Sequence, residues 1–134
     1  MTIENFLYPY ISHEEEYEKG ATIIKEGTQG DWVYLILEGS VKVKKMTAKG
    51  LVTVDTLTEG EIFGEMVLWQ SGKLSRTASV VAETRVRVAL LDTQRLLKEY
   101  ESVSPRLKTL FESLIHRLAV TTQRAVKLAT DSLP

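Results

Sequence analysis

Glycines recur at positions 20, 27, 30, 39, 50, 60, 64 and 72, and they cut the chain into short pieces. Glycine is the default residue where a turn needs positive φ. Between these turn signals sit β-branched or aromatic runs: Thr22–Ile24, Trp32–Leu37, Ser40–Val43, Leu51–Val54, then Ala78–Val81 and Arg85–Leu90. Several alternate with period two. Short strands at this spacing, from residue 17 to about 91, predict a sandwich or barrel. Ala48-Lys49-Gly50 reads as a hairpin tip between two of them. Residues 3–12 mix apolar and polar side chains around Pro9, and a short helix or turn is expected before that proline.

The pattern changes at Asp92. This residue can N-cap a helix that runs to about Tyr100, giving a short helix over 92–102. Ser104-Pro105 then reads as a second N-cap with proline at the first helical position. The stretch 105–129 contains neither glycine nor proline. Within it Phe111, Leu118 and Ala125 lie seven apart, as do Leu107, Leu114, Thr121 and Leu128, and the two series are offset by three. That is the a/d seam of a coiled coil over about three heptads, which predicts a parallel homodimer through residues 105–129. Leu110 and Ile115 widen the stripe, so one flank can rest on the β-domain; a helix packed only on its own domain is the alternative. Thr121 is the polar member of the seam, with Thr122 and Arg117 flanking it. Either its hydroxyl bonds its own helix, or it faces a ligand held between helix and β-domain.

The length of 134 residues suits one domain with a real core. With no cysteine there are no disulfides, thiolate metal sites or cysteine-ligated iron–sulfur clusters. Two dispersed histidines, His13 and His116, make no metal site. A net charge of -1 argues against electrostatic nucleic-acid binding. No apolar run approaches the ~20 residues of a membrane span, and the N-terminus lacks a signal pattern. The expectation is a cytoplasmic protein without metal, cofactor or membrane partner.

Phe63-Gly64-Glu65-Met66-Val67-Leu68, followed by Arg76-Thr77-Ala78, carries the chemistry. Gly64 lets a backbone come close to a ligand. Glu65, an acceptor-only carboxylate, suits sugar hydroxyls, and the guanidinium of Arg76 matches a phosphate in two-point fashion. Taken singly, such a pair is a solvated surface pair of little energetic weight; its occurrence together with Gly64 and the Thr121-Thr122 pair favours a ligand site. No nucleophile–base pair accompanies it, so no catalytic residues are assigned and an enzyme is not expected.

Three segments resemble the cyclic nucleotide-binding domain family. Residues 20–41, with Glu26-Gly27, Gly30-Asp31, Tyr34 and Gly39, look like its opening β-roll signature. Phe63-Gly64-Glu65 to Arg76-Thr77-Ala78 resembles its phosphate-binding cassette. His116 to Thr122 is similar to the central helix of the catabolite activator type. The resemblance covers roughly residues 15–130. It implies a mainly β fold with flanking helices: an eight-stranded, jelly-roll-like β-roll (a double-stranded β-helix) over about 15–91, and a long C-terminal dimerisation helix. It also implies roles. Glu65 would accept the ribose 2′-hydroxyl, and Gly64 would allow close backbone approach. Arg76 would pair with the cyclic phosphate, helped by Thr77 and backbone N–H groups. Met66 and Val67 would close a cassette helix whose N-terminus favours an anion. Thr121 of one subunit and Thr122 of the other would bond the purine edge, with Arg117 near the base. The cassette departs from the family pattern at Ser75 and Val67, where many members carry proline and alanine, and its glutamate–arginine separation is a residue or two longer.

The expected function is therefore a regulatory sensor of cyclic AMP, with cyclic GMP as the lesser alternative because a hydroxyl such as Thr77 beside the arginine occurs in some cyclic GMP binders. Other readings are a nucleotide-free or other-anion-binding dimerisation module, and the N-terminal piece of a catabolite activator-type transcription factor. No sequence-specific DNA binding is expected of these residues alone.

Overall fold

The computed structural model describes residues 6–28, 30, 32–65, 76 and 78–131. Among them are eight strands: β1 (Ile11–Tyr17), β2 (Thr22–Ile24), β3 (Val33–Glu38), β4 (Val41–Thr47), β5 (Gly50–Leu57), β6 (Ile62–Phe63), β7 (Ser79–Ala82) and β8 (Val86–Leu91). They form two antiparallel four-stranded sheets, ordered β1-β8-β3-β6 and β2-β7-β4-β5. Early strands pair with late ones in nested fashion, first with last and so on inward to the β4–β5 hairpin. This is the expected β-roll, and the hairpin turns at Ala48-Lys49 with Thr47 opposite Gly50.

The core follows from strand alternation. Tyr34, Ile36, Val86, Val88 and Leu90 point between the sheets and meet Ile24, Val41, Val80 and Phe63. The other face of the same strands, Val33, Leu35, Ala89 and Leu91, packs under Leu7, Tyr10, Ile62 and Leu96. β3 and β8 are thus covered on both faces, which is why their sequences are nearly continuous apolar runs.

Two elements depart from the sequence expectation. The first strand begins at Ile11, well before residue 17. Its sequence, Ile-Ser-His-Glu-Glu-Glu-Tyr, has poor strand propensity, but it is an edge strand paired along its length with the buried strand β8, and charge pairs line its exposed face. Arg85 bonds Glu16 at 2.8 Å, and Arg87 pairs with Glu14 and, at 3.0 Å, with Glu38. Such cross-strand context overrides propensity. β6 spans only two residues, too short to leave a pattern. Phe6 and Leu7 are helical ahead of Pro9, as expected, and the proline itself lies in a 3-10 turn over Tyr8–Tyr10.

Helix α1 spans Thr93–Glu101, and the Asp92 side chain accepts from the Arg95 N–H at 3.2 Å as its N-cap. Helix α2 spans Pro105–Asp131. Ser104 Oγ accepts from the Leu107 N–H at 3.3 Å, and the helix ends two residues beyond the expected 129. Its main contact with the roll is along β5. Ile115, Ala119, Val126 and Thr130 are half-buried, so Ile115 is the flank that rests on the domain. Leu110 does not; it is exposed like the seam residues Leu107, Phe111, Leu114, Leu118 and Leu128, which range from 37% to 71% exposed. Thr121 and Ala125 are exposed too.

Candidate functional site

The site lies where β6 ends. Phe63 is buried, its ring stacked on Tyr34 with centroids 4.8 Å apart, and this fixes the corner from which the next residues leave the sheet. Gly64 follows at φ +78°, a conformation side chains resist. A Cβ there would also stand 3.0 Å from both Arg76 Nη1 and the Trp32 carbonyl oxygen. Glycine is required here for both reasons.

Arg76 is only 9% exposed. Its Nη1 donates to the Gly64 carbonyl at 3.0 Å and its Nη2 to the Trp32 carbonyl at 2.7 Å. The backbone is also tied: Arg76 N–H donates to Thr28 O, and Gly27 N–H to Arg76 O, both at 2.8 Å. The sequence left Arg76 either in a solvated surface pair or at a ligand site. The structure instead makes it a brace between two loops. Gly30 makes room for it, since a Cβ there would lie 3.1 Å from Arg76 Nε.

Glu65 is half-buried beside this guanidinium. Burial raises its carboxyl above the ordinary value, while its own backbone N–H and the Arg76 charge pull the other way. A carboxylate and a guanidinium held together at a backbone corner can recognise a hydroxyl and an anion side by side. Ala78, half-buried, leads into β7. Residues 66–75, with Met66, Val67 and Ser75, and Thr77 lie outside the described residues.

The structure therefore gathers Phe63, Gly64, Glu65, Arg76 and Ala78 at one corner. Arg117, Thr121 and Thr122 are exposed on α2. Thr121 Oγ1 donates to the Arg117 carbonyl and Thr122 Oγ1 to the Leu118 carbonyl, each at 2.9 Å, so the hydroxyls bond within their own helix. The Trp32 carbonyl was not anticipated, because a main-chain acceptor leaves no mark in a sequence. Gly30, which has no positive φ, could have been found as a glycine that no turn explains. Among the described residues there is no cluster of His, Asp and Glu able to hold a metal ion. No helix among them is long and apolar enough to cross a membrane.

The sequence profile of the cyclic nucleotide-binding domain matches residues 14–102. The chain belongs to the cyclic nucleotide-binding domain family. Regulatory proteins are among its relatives. A cAMP-dependent protein kinase regulatory subunit from Yarrowia lipolytica is 41% identical over 83 residues, 60% of this chain and 21% of that one. The cAMP-activated global transcriptional regulator CRP of Salmonella typhimurium is 28% identical over 118 residues, 87% of this chain and 56% of that one. The chain thus spans about a fifth of the kinase subunit and about half of the bacterial regulator. Among solved structures, the EAL enzyme Bd1971 superimposes in its cAMP-bound form with a TM-score of 0.72 at 32% identity, over 87% of this chain and 31% of that one. Its cGMP-bound form gives 0.73 at 33%, over 86% and 30%. The matched residues span both Glu65 and Arg76.

Proposed function

We propose that these residues form a single sensor domain for a 3′,5′-cyclic purine nucleotide, cyclic AMP first, which acts by binding rather than catalysis. The observation that carries the reading is the half-buried Glu65 set against the buried Arg76 guanidinium at a glycine corner. Glu65 accepts the ribose 2′-hydroxyl. Arg76 meets the cyclic phosphate, Gly64 lets the ligand approach, and Phe63 anchors the corner. Met66, Thr77 and Ala78 complete the cassette. The base lies toward α2, near Arg117, Thr121 and Thr122. Each threonine hydroxyl spends its proton on a helix carbonyl and so presents lone pairs outward. Those accept from the 6-amino group of adenine but not from the 6-oxo group of guanine. Isothermal titration calorimetry with cyclic AMP, cyclic GMP and 5′-AMP tests this, on protein stripped of carried-over ligand by unfolding and refolding. Micromolar binding of cyclic AMP, weaker cyclic GMP and no response to 5′-AMP is expected. No binding of either cyclic nucleotide would turn the search toward other anionic effectors.

The exposed a/d seam of α2 supports a parallel homodimer through residues 105–129, in which Thr121 of one protomer and Thr122 of its partner serve one base. Light scattering at micromolar concentration should give the dimer mass. Leu118→Glu, which places like charges at the seam, should give the monomer mass with the β-roll still folded. A monomeric parent protein would remove the dimer.

A further inference from the structure

β7 stops pairing with β4 at Ser79 opposite Lys44, whereas β4 runs on to Thr47. Beyond that point the outer edge of β4 has no strand neighbour among the described residues, yet the Met46 N–H is satisfied. It donates to Glu26 Oε1 at 2.9 Å, and Lys45 Nζ reaches Glu26 Oε2 at 3.4 Å. Glu26 belongs to the turn after β2, which is the same turn that clasps the Arg76 backbone through Gly27 N–H and Thr28 O. Its own N–H donates to Ser79 Oγ at 2.9 Å. One short turn therefore holds the arginine on one side and the β4–β5 hairpin on the other, and β5 is the strand on which α2 rests.

From this we propose that Glu26 is a positioning residue that couples the Glu65–Arg76 corner to α2, with its carboxylate as the strut between the arginine's turn and the hairpin. The inference rests on the nucleotide-sensor reading. An anion drawn to Arg76 shifts the clasped turn, the carboxylate carries that shift to the Met46 N–H, and the hairpin moves the surface under the helix. The hydrogen bond to Met46 is the working contact. The Lys45 pair is about a third exposed on each side, and such pairs contribute little. Coupling of this kind is a free energy shared between two places, each biasing one element with two arrangements.

The test uses the whole chain as parent protein, Glu26→Gln and Glu26→Ala. Amide hydrogen exchange is followed with and without saturating cyclic AMP, and saturation is checked by calorimetry on each variant. In the parent, bound nucleotide should change exchange across residues 41–57 and 105–131. Glu26→Gln keeps an acceptor for the Met46 N–H and should keep that response. Glu26→Ala should still bind nucleotide but lose most of the response in 105–131, while exchange in β8 stays at its parent level. A full helix response in Glu26→Ala overturns the strut, and so does a glutamine variant that behaves like the alanine one. A parent that binds nucleotide with an unresponsive helix sinks the strut alone. A parent that binds neither cyclic nucleotide sinks the sensor reading, and the strut with it.

Discussion

Arg76→Ala should lose stability as well as ligand. The guanidinium serves the carbonyls of Gly64 and Trp32 at 3.0 and 2.7 Å in a buried setting. Removing it strands two acceptors that had a charged donor. Hydrogen bonds of that kind are worth more than neutral ones, and the loss should cost about 2–4 kcal/mol. For a chain of this size that lowers the melting midpoint by roughly 8–16 °C. Arg76→Lys keeps the charge but cannot span both carbonyls, because an ammonium is a point donor where the guanidinium is a fork. It should fall between parent and alanine in stability. Cyclic nucleotide affinity should drop in both variants, by ~100-fold or more in the alanine one, the worth of a charged phosphate contact. Urea unfolding followed by calorimetry below the transition separates the two effects. An alanine variant as stable as the parent would show that the brace carries no weight.

Glu65→Gln is expected to act in opposite directions on fold and function. Burial holds the Glu65 carboxyl above its ordinary value, so the folded state binds this proton more tightly than the unfolded chain does. The group's contribution to stability is complete at pH below the unfolded value and is lost as pH rises through the folded one. At neutral pH the ionised carboxylate is therefore a burden on the empty protein. The glutamine variant, which carries no charge, should be at least as stable as the parent there and show less decline with rising pH. Binding runs the other way. A ribose hydroxyl donates to the ionised carboxylate, so parent affinity should fall on acidification, starting above the usual carboxylate range. The glutamine variant should bind about 10- to 100-fold more weakly, the loss of one charged hydrogen bond, with little pH dependence from this position. Unchanged affinity in the variant would remove Glu65 from the site.

Much of the β-roll could be read in advance because its inner strands advertise themselves. Val33–Glu38 and Val86–Leu91 are covered on both faces and so carry nearly continuous apolar runs, broken by Arg87 and ended by Glu38, and the caps at Asp92 and Ser104 mark both helices. β1 could not be read. Its partner is β8, about seventy residues away in the chain, with Arg85 and Arg87 opposite its glutamates, and a local pattern holds no trace of a distant partner. The site divides along the same line. Gly64, Glu65 and Arg76 stand out by type and spacing, so their gathering was expected. The use of Arg76 as a brace was not, because its partners are main-chain oxygens that any residue could supply. Glu26 lies within the opening signature with nothing in the sequence to mark its partner, and its bond to the Met46 N–H is visible only where β4 outruns β7.

The nested strand pairing has a consequence for how the molecule comes into being. β8 lies between β1 and β3, and β7 lies between β2 and β4, so the middle of each sheet is supplied by chain that leaves the ribosome late. Only the β4–β5 hairpin can close from neighbouring sequence. The first strands must wait, unpaired on their inner side, until residues 79–91 emerge. Long-range pairing of this sort folds slowly, and the acidic run of β1 is well suited to the delay, because an edge that repels its own kind does not aggregate while it waits for its arginines.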